Sequence, residues 1–143
     1  KQEIIGKASI DLGIRRLDNL FGEKAWQQRD YIRDCLNNIR IKPGKETKYI
    51  GVGGTVTSLA AMLLGLKEYD EQLVHGYKIS RSDIDKTFAK VKNLTAKQVP
   101  LLLPFNPISR SLLLTGIIIV SEIIALFNAP VFLSQIEPGS MAY

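Results

Sequence analysis

Cysteine and histidine are almost absent from this sequence, which has one of each, Cys35 and His75, in 143 residues. A single cysteine excludes an intramolecular disulfide framework and a cysteine-based zinc cluster. A single histidine excludes a metal site with several imidazole ligands. Because 45% of the residues are hydrophobic, a domain of this length has enough apolar surface to fold without disulfides or metals. We therefore expect residues 1–143 to form one domain.

The sequence also lacks a dense cluster of basic residues. It has 19 basic and 14 acidic residues and a formal net charge of +5. Arms that bind nucleic acids carry clustered lysines and arginines, so we do not expect a nucleic-acid partner, whereas this mild excess suits an anionic ligand. Lys86, Lys90 and Lys97 are interpreted as a solvated face, with a track for a polyanion as the alternative.

No apolar run reaches the length of a membrane span. The longest, Leu112–Phe127, has about 16 residues, whereas a spanning helix needs about 20. Glu122 lies within this run, where a charge would be costly in lipid. We predict a buried core helix and no membrane partner, with a membrane-associated helix as the weaker alternative. A buried Glu122 needs a polar partner.

Apolar spacing and turn residues predict the order β-α-α-β-α-β-α-α-α-β. Strands alternate with helices, so we predict an α/β fold in which a short mixed sheet is covered by helices. The predicted strands are Ile4–Leu12, Tyr49–Val52, Tyr77–Ile79 and Val131–Leu133. The predicted helices are Ile14–Phe21, Lys24–Ile39, Thr55–Leu66, a helix from a Ser80–Asp83 capping box to about Lys92, Thr95–Leu103, and Ile108–Phe127.

A glycine-rich turn is the most informative motif. Gly51, Gly53 and Gly54 lie between a predicted strand and a predicted helix, and Thr55 and Thr57 follow directly. Glycines allow a ligand close to the backbone, and the start of a helix presents free N–H groups and partial positive charge. The motif is neither a Walker A nor a G-x-G-x-x-G sequence. It predicts a phosphate cradle formed by Gly53, Gly54, Thr55 and Thr57, with a tight strand–helix turn as the alternative.

Several segments together resemble one family. Tyr49–Met62, YIGVGGTVTSLAAM, resembles the GGT-x-T-[ST]-LA element of the Ppx/GppA phosphatases, which comprise exopolyphosphatases and guanosine pentaphosphate phosphohydrolases. In the same order along the chain, Ser9–Leu17 resembles S-L-P-L-G-A-V-R-L, Val74–Ile79 resembles V-H-G-Y-x-L, and Arg110–Glu122 resembles R-A-D-x-I-x-x-G-x-x-I-x-x-E. The resemblance extends over nearly the whole chain.

The resemblance implies a ribonuclease H-like, actin-like fold with two related domains and a phosphate-binding cleft between them. This chain resembles the second domain only. The family's acidic loops and catalytic Glu have no counterpart here, so the resemblance implies no catalytic residue in this chain. Mg²⁺ would be held by ligands outside it. We expect a cytoplasmic part of a longer protein whose partners are the missing N-terminal domain and, as an alternative, a second copy.

Three further residues are candidate anion contacts. Arg16 is a recurring arginine in the family pattern, but it can equally brace its helix and loop. His75 is alternatively a structural residue before a glycine turn. Arg110, near a predicted helix start, is alternatively a partner in an ion pair.

Two functions from different classes remain open. The chain is either the phosphate-binding half of a phosphohydrolase that acts on terminal phosphates of inorganic polyphosphate or pppGpp, or a non-catalytic module that binds nucleotides, alarmones or polyphosphate. In either case we expect the isolated chain to be inactive as a hydrolase.

Overall fold

The computed structural model describes residues 4, 6, 8–10 and 12–136. The helices are α1 (Ile14–Phe21), α2 (Ala25–Leu36), α3 (Gly54–Leu64), α4 (Glu71–Val74), α5 (Arg81–Asn93) and α6 (Arg110–Phe127), with a short 3₁₀ helix at Val99–Leu102. The strands are β1 (Ile50–Val52), β2 (Lys78–Ser80) and β3 (Val131–Gln135). Strands and helices alternate along much of the chain, which confirms the α/β class.

The three strands form a mixed sheet in the order β1-β3-β2. β1 runs parallel to β3, with Gly51 opposite Ser134. β2 runs antiparallel to β3, with Ile79 opposite Phe132. Ile79, Phe132 and Ser134 are buried, so one face of the sheet packs on the helical core. Ile50 on the other face is half exposed, so among the described residues the predicted helical cover lies on one face of the sheet.

Helix α6 is the central element of the core, as the sequence predicts. Leu113, Leu114, Ile117 and Ile118 are buried, and the helix packs against α1, α2, α3 and α5. The side chain of Ser109 accepts a hydrogen bond from the Leu112 N–H at 3.2 Å and caps the first turn. By length and composition alone α6 is apolar enough to cross a membrane, and 44% of it is buried inside this protein.

The predicted capping box at the start of α5 is confirmed. The Asp83 N–H donates to the Ser80 hydroxyl at 3.0 Å, and the Ser80 N–H donates to the Asp83 carboxylate at 3.0 Å. Two free N–H groups at the start of the helix are thereby satisfied. This local signal places the start of α5 directly after β2.

The predicted strand at Ile4–Leu12 is not found. Residues 4, 6, 8–10 and 12 are outside the sheet, and residues 5, 7 and 11 lie outside the described residues. A strand is stable only beside another strand that completes its hydrogen bonds. Neither edge of the small sheet pairs with this segment in the part of the chain that the structure describes.

Two helical predictions also need correction. The region Thr95–Leu103 contains only a 3₁₀ turn with a proline near its start, because Pro100 has no N–H with which to continue a helix. Helix α4, which the sequence analysis missed, is a single turn capped by Asp70, whose carboxylate accepts from the Gln72 N–H at 3.0 Å.

Candidate functional site

The glycine-rich turn leaves the backbone open at the start of α3. Gly53 has φ +123°, a conformation that L-residues with a side chain rarely adopt. A Cβ on either Gly53 or Gly54 would meet no heavy atom within 4 Å. No side chain caps α3, and its first helical hydrogen bond runs from the Thr57 N–H to the Gly53 carbonyl at 3.1 Å. The N–H groups of Gly54, Thr55 and Val56 precede that bond, so they have no partner within the helix.

These three residues line a cavity of about 450 Å³ at the start of α3. Gly53, Gly54 and Thr55 form that part of the wall, and most of the remaining wall is apolar. The other lining residues are Leu12, Ile14, Tyr49, Ile50, Gly51, Val52, Val56, Gly116, Ile119, Val120, Ile123, Ile124, Phe127, Ala129 and Phe132. Within the described residues no lysine, arginine, histidine, aspartate or glutamate lines the cavity. Among these lining residues, the partial positive charge and free N–H groups at the start of α3 are the features that would attract an anion.

Two other glycines fix the position of the loop. A Cβ on Gly51 would lie 2.9 Å from Val56 Cγ2, and a Cβ on Gly116 would lie 2.9 Å from both Cγ2 and Oγ1 of Thr55. Only glycine at these positions lets α3 pack this closely against β1 and α6. The Thr55 hydroxyl is thus held against α6 at the edge of the cavity.

The structure gives Thr57 a different contact from the one predicted. Its hydroxyl lies 3.2 Å from both the Gly53 and the Gly54 carbonyl oxygen, and Thr57 does not line the cavity. A threonine hydroxyl commonly makes this bond to the backbone of the preceding helical turn. Its role as a phosphate ligand stays a prediction, and Thr55 is the better-placed hydroxyl.

His75 lies at the same end of the sheet as the glycine-rich turn. Its Nδ1 accepts a hydrogen bond from the Ile136 N–H at 3.3 Å. Ile136 follows Gln135, which pairs with Val52, so the turn and His75 are both beyond the carboxyl ends of parallel strands. With Nδ1 as acceptor, neutral His75 carries its proton on Nε2. This hydrogen bond supports the alternative in which His75 has a structural role.

The two candidate arginines do not line the cavity. Arg110 forms an ion pair with Glu23 and donates to the Lys92 carbonyl oxygen at 2.9 Å. These two contacts agree with the alternative in which Arg110 is a partner in an ion pair. Arg16 is exposed on α1, two residues after Ile14, which does line the cavity.

Glu122 has the polar partners that the sequence requires. Its side chain is 5% exposed, and its two oxygens lie 2.7 Å from Arg29 Nη1 and 2.7 Å from Arg33 Nε. Burial by itself raises the pKa of Glu122, but the hydrogen bonds and charges of Arg33 and Arg29 outweigh it and lower the pKa overall. Glu122 therefore stays ionised and joins α6 to α2.

Comparison with solved structures shows which proteins share this fold. Solved structures with this fold include Ppx/GppA phosphatases, among them the Aquifex aeolicus PPX-GPPA enzyme, with a TM-score of 0.81 and 21% identity over 93% of this chain and 46% of the other. An exopolyphosphatase from Cytophaga hutchinsonii gives a TM-score of 0.72 with 17% identity over 94% of this chain and 46% of the other.

A curated relative agrees with these structures. Exopolyphosphatase 2 of Mycobacterium tuberculosis is 24% identical over 132 residues, which are 86% of this chain and 41% of the relative. No family model matches the chain. The chain thus spans less than half the length of the proteins it resembles, and the resemblance to the C-terminal domain of the Ppx/GppA phosphatases is confirmed.

Gly53, Gly54 and Thr55 line the cavity, and their role as phosphate ligands stays a prediction. The sequence analysis missed the apolar wall that α6 contributes through Ile119, Val120 and Ile123. Its signal was present in the sequence of α6, where apolar residues occur on more than one side of the helix. Apolar residues on more than one side predict that the helix covers a second surface besides the one it packs against.

Proposed function

We propose that this chain is the phosphate-binding half of a Ppx/GppA-type phosphohydrolase with a ribonuclease H-like, actin-like fold. Its substrates are inorganic polyphosphate or pppGpp, and the reaction removes a terminal phosphate. The single observation that carries the proposal is the open start of α3, where the N–H groups of Gly54, Thr55 and Val56 have no partner within the helix and these three residues line a cavity. The exopolyphosphatase relatives support the same chemistry.

In this proposal the chain holds the phosphate and leaves the chemistry to the rest of the enzyme. The N–H groups and the Thr55 hydroxyl would donate to phosphate oxygens, and the dipole of α3 would stabilise their charge. Such positioning and electrostatic stabilisation are the main contributions of a protein to phosphoryl transfer. No carboxylate among the described residues lines the cavity to activate water.

Magnesium does not fit the described residues. No group of three or more His, Cys, Asp or Glu side chains among them is placed to hold a metal ion. In this proposal a magnesium ion would be held by ligands outside this part of the chain. We also propose that the protein is cytoplasmic.

Titration with tripolyphosphate, followed by amide chemical shifts, tests the proposal. We expect the largest shifts at residues 53–57, and we expect binding to be weak because an open half-cleft leaves the ligand solvated. Shifts confined to the face of Lys86, Lys90 and Lys97 would contradict it.

A non-catalytic binding module is the second candidate, and the cavity wall without a carboxylate among the described residues is compatible with both candidates. Phosphate release from polyphosphate and pppGpp distinguishes the two candidates when it is measured on the chain joined to the unmatched part of the Aquifex aeolicus enzyme. Turnover supports the phosphohydrolase, whereas binding without turnover supports the module.

A further inference from the structure

We propose that a second cavity, at the amino ends of β1 and β3, binds an anion with two or more linked phosphates. This cavity has a volume of about 670 Å³ and is lined by Lys45, Lys48 and Lys78. It lies at the opposite end of β1 from the glycine-rich turn. The proposal does not depend on phosphate binding at that turn.

The fold brings these lysines together from two segments of the chain. Lys78 of β2 is opposite Leu133 of β3, and Leu133 is opposite Ile50 of β1, so Lys78 and Ile50 lie in one row across the sheet. The Tyr49 carbonyl accepts from the Leu133 N–H at 2.9 Å, which extends the strand pairing to the residue before Ile50. Because side chains alternate between the two faces of a sheet, Lys48 lies on the same face as Lys78. Two lysines that are 30 residues apart in the sequence therefore line one cavity.

The charge around this cavity is positive and uncompensated. Among the described residues no aspartate or glutamate lines it, and none of the three lysines forms an ion pair. Glu46 belongs to the same loop as two of them but does not line the cavity. A fourth cation is close, because Arg81 Nη1 donates to Oδ1 of Asn128 at 3.3 Å, and Asn128 lines the cavity. Like charges gathered in this way repel one another, and a bound anion would relieve the repulsion.

The end of α6 accounts for little of this positive charge. Cations are favourable near the last carbonyl groups of a helix, and the end of α6 lines the cavity through Phe127 and Asn128. These carbonyls already have partners. The Phe127 carbonyl accepts from the Tyr49 hydroxyl at 3.4 Å, and the Ala125 carbonyl accepts from the Asn128 N–H at 3.2 Å. The lysine ammonium groups therefore remain available for a ligand.

The number of cations and the size of the cavity indicate the class of anion. A lysine ammonium group binds phosphate as a compact point charge. A single phosphate group carries a charge of about −2, which is less than the charge of the three lysines. The volume is within the range of roughly 300–1,000 Å³ that is usual for small-molecule sites, so the cavity has room for more than one phosphate. Linked phosphates occur in inorganic polyphosphate and in nucleoside triphosphates, and both match this chemistry.

Titration of the full 143-residue chain at constant ionic strength tests the proposal. The probes are tripolyphosphate, GTP and inorganic phosphate, and the readout is the chemical shift of the methylene group beside each lysine ammonium. We expect shifts at Lys45, Lys48 and Lys78 that are half-complete at a concentration of tripolyphosphate about tenfold or more below that of inorganic phosphate. Tighter binding of GTP than of tripolyphosphate would support a nucleotide as the source of the phosphates, and the reverse would support an inorganic chain.

Charge-matched variants separate this cavity from the overall charge of the chain. Lys48→Gln combined with Lys78→Gln should lower the tripolyphosphate affinity read at Lys45 by about tenfold and leave the shifts at residues 53–57 in place. The control combines Lys24→Gln with Lys97→Gln, two exposed lysines that do not line the cavity. It changes the net charge equally and should change the affinity by less than about twofold.

Three results would overturn the proposal: equal losses in the two double variants, no shift at the lining lysines, or inorganic phosphate that binds as tightly as tripolyphosphate. Failure of the proposed function has a different signature. Shifts at the lining lysines without shifts at residues 53–57 would count against phosphate binding at the glycine-rich turn and leave this second site standing.

Discussion

The two sides of α6 differ in how completely they are covered. On one side Glu122 is enclosed by Arg29 and Arg33 from α2, and the neighbouring apolar residues are buried. On the other side Ile119 and Ile123 line an open groove that leads to the glycine-rich turn. The covered side stabilises the domain, and the open side carries the features expected of a binding surface. Paired substitutions on the two sides therefore separate stability from binding.

The largest effect is expected from truncating an isoleucine on the covered side. Ile117 is 0% exposed, whereas Ile123 in the same helix is 37% exposed. Ile117→Ala should lower the free energy of unfolding by about 2–5 kcal/mol, because it leaves a cavity in the core. Ile123→Ala should lower it by less than about 1 kcal/mol. Urea unfolding of both variants measures the difference, and equal losses would mean that the groove is already filled in solution.

The next effect concerns the carboxylate that joins α6 to α2. Glu122→Gln should lower the free energy of unfolding by about 2–3 kcal/mol, because charge-assisted hydrogen bonds to Arg29 and Arg33 are lost. The matched control is Glu23→Gln, which affects a more exposed ion pair with Arg110 and should cost less than about 1 kcal/mol. A Glu122→Gln variant as stable as the wild type would show that the hydrogen bonds from Arg29 and Arg33 do not contribute to the free energy of unfolding.

The stabilising effect of Glu122 should depend on pH. The pKa of Glu122 is lowered from its ordinary value of 4.5 in the folded chain. Its contribution is therefore fully present above about pH 4.5 and is lost as the pH falls through the lower folded value. Unfolding measured at pH 7 and at pH 3 should show the difference between the wild type and Glu122→Gln shrinking in acid. A difference that stays constant with pH would exclude this ionisation as its source.

The smallest effect belongs to the open side. Thr55→Val keeps the side-chain shape against Gly116 and removes one hydroxyl, so it should weaken tripolyphosphate binding by roughly three- to tenfold. Thr57→Val is the matched control, because that hydroxyl already bonds to the Gly53 and Gly54 carbonyls. We expect the affinity of the Thr57→Val variant for tripolyphosphate to change by less than about twofold. Equal losses of tripolyphosphate affinity in the two variants would indicate that the Thr57 hydroxyl also contacts the phosphate.

Local signals predicted most of the elements and the position of the turn. The capping box at Ser80 and the glycines before Thr55 each act within a few residues, so their effect can be deduced without knowing the fold. The side-chain partners could not be deduced in this way. The burial of Glu122 required a partner, but Arg29 is 93 residues away in the sequence. Arg110 and Glu23 are likewise 87 residues apart, and only the folded chain brings them together.

The strand prediction at Ile4–Leu12 was wrong for the same reason, because strand pairing also depends on residues that are distant in the sequence. A helix forms its backbone hydrogen bonds within its own segment, whereas a strand forms them with a neighbour. The apolar, β-branched character of this segment therefore predicts a strand only where a neighbour is available. In the described residues this segment has no strand beside it, although one edge of β1 is unpaired.

The place of β3 in the sheet has a consequence for synthesis on the ribosome. β3 lies between β1 and β2 but comes last of the three in the chain. Neither of the other two strands has a sheet partner among the described residues until Val131–Gln135 has left the ribosome. The helices form from local contacts and precede it, whereas the pairing of Ile50 with Leu133 closes a long loop and is slow. A nascent chain arrested before Val131 should therefore contain helices without the described sheet.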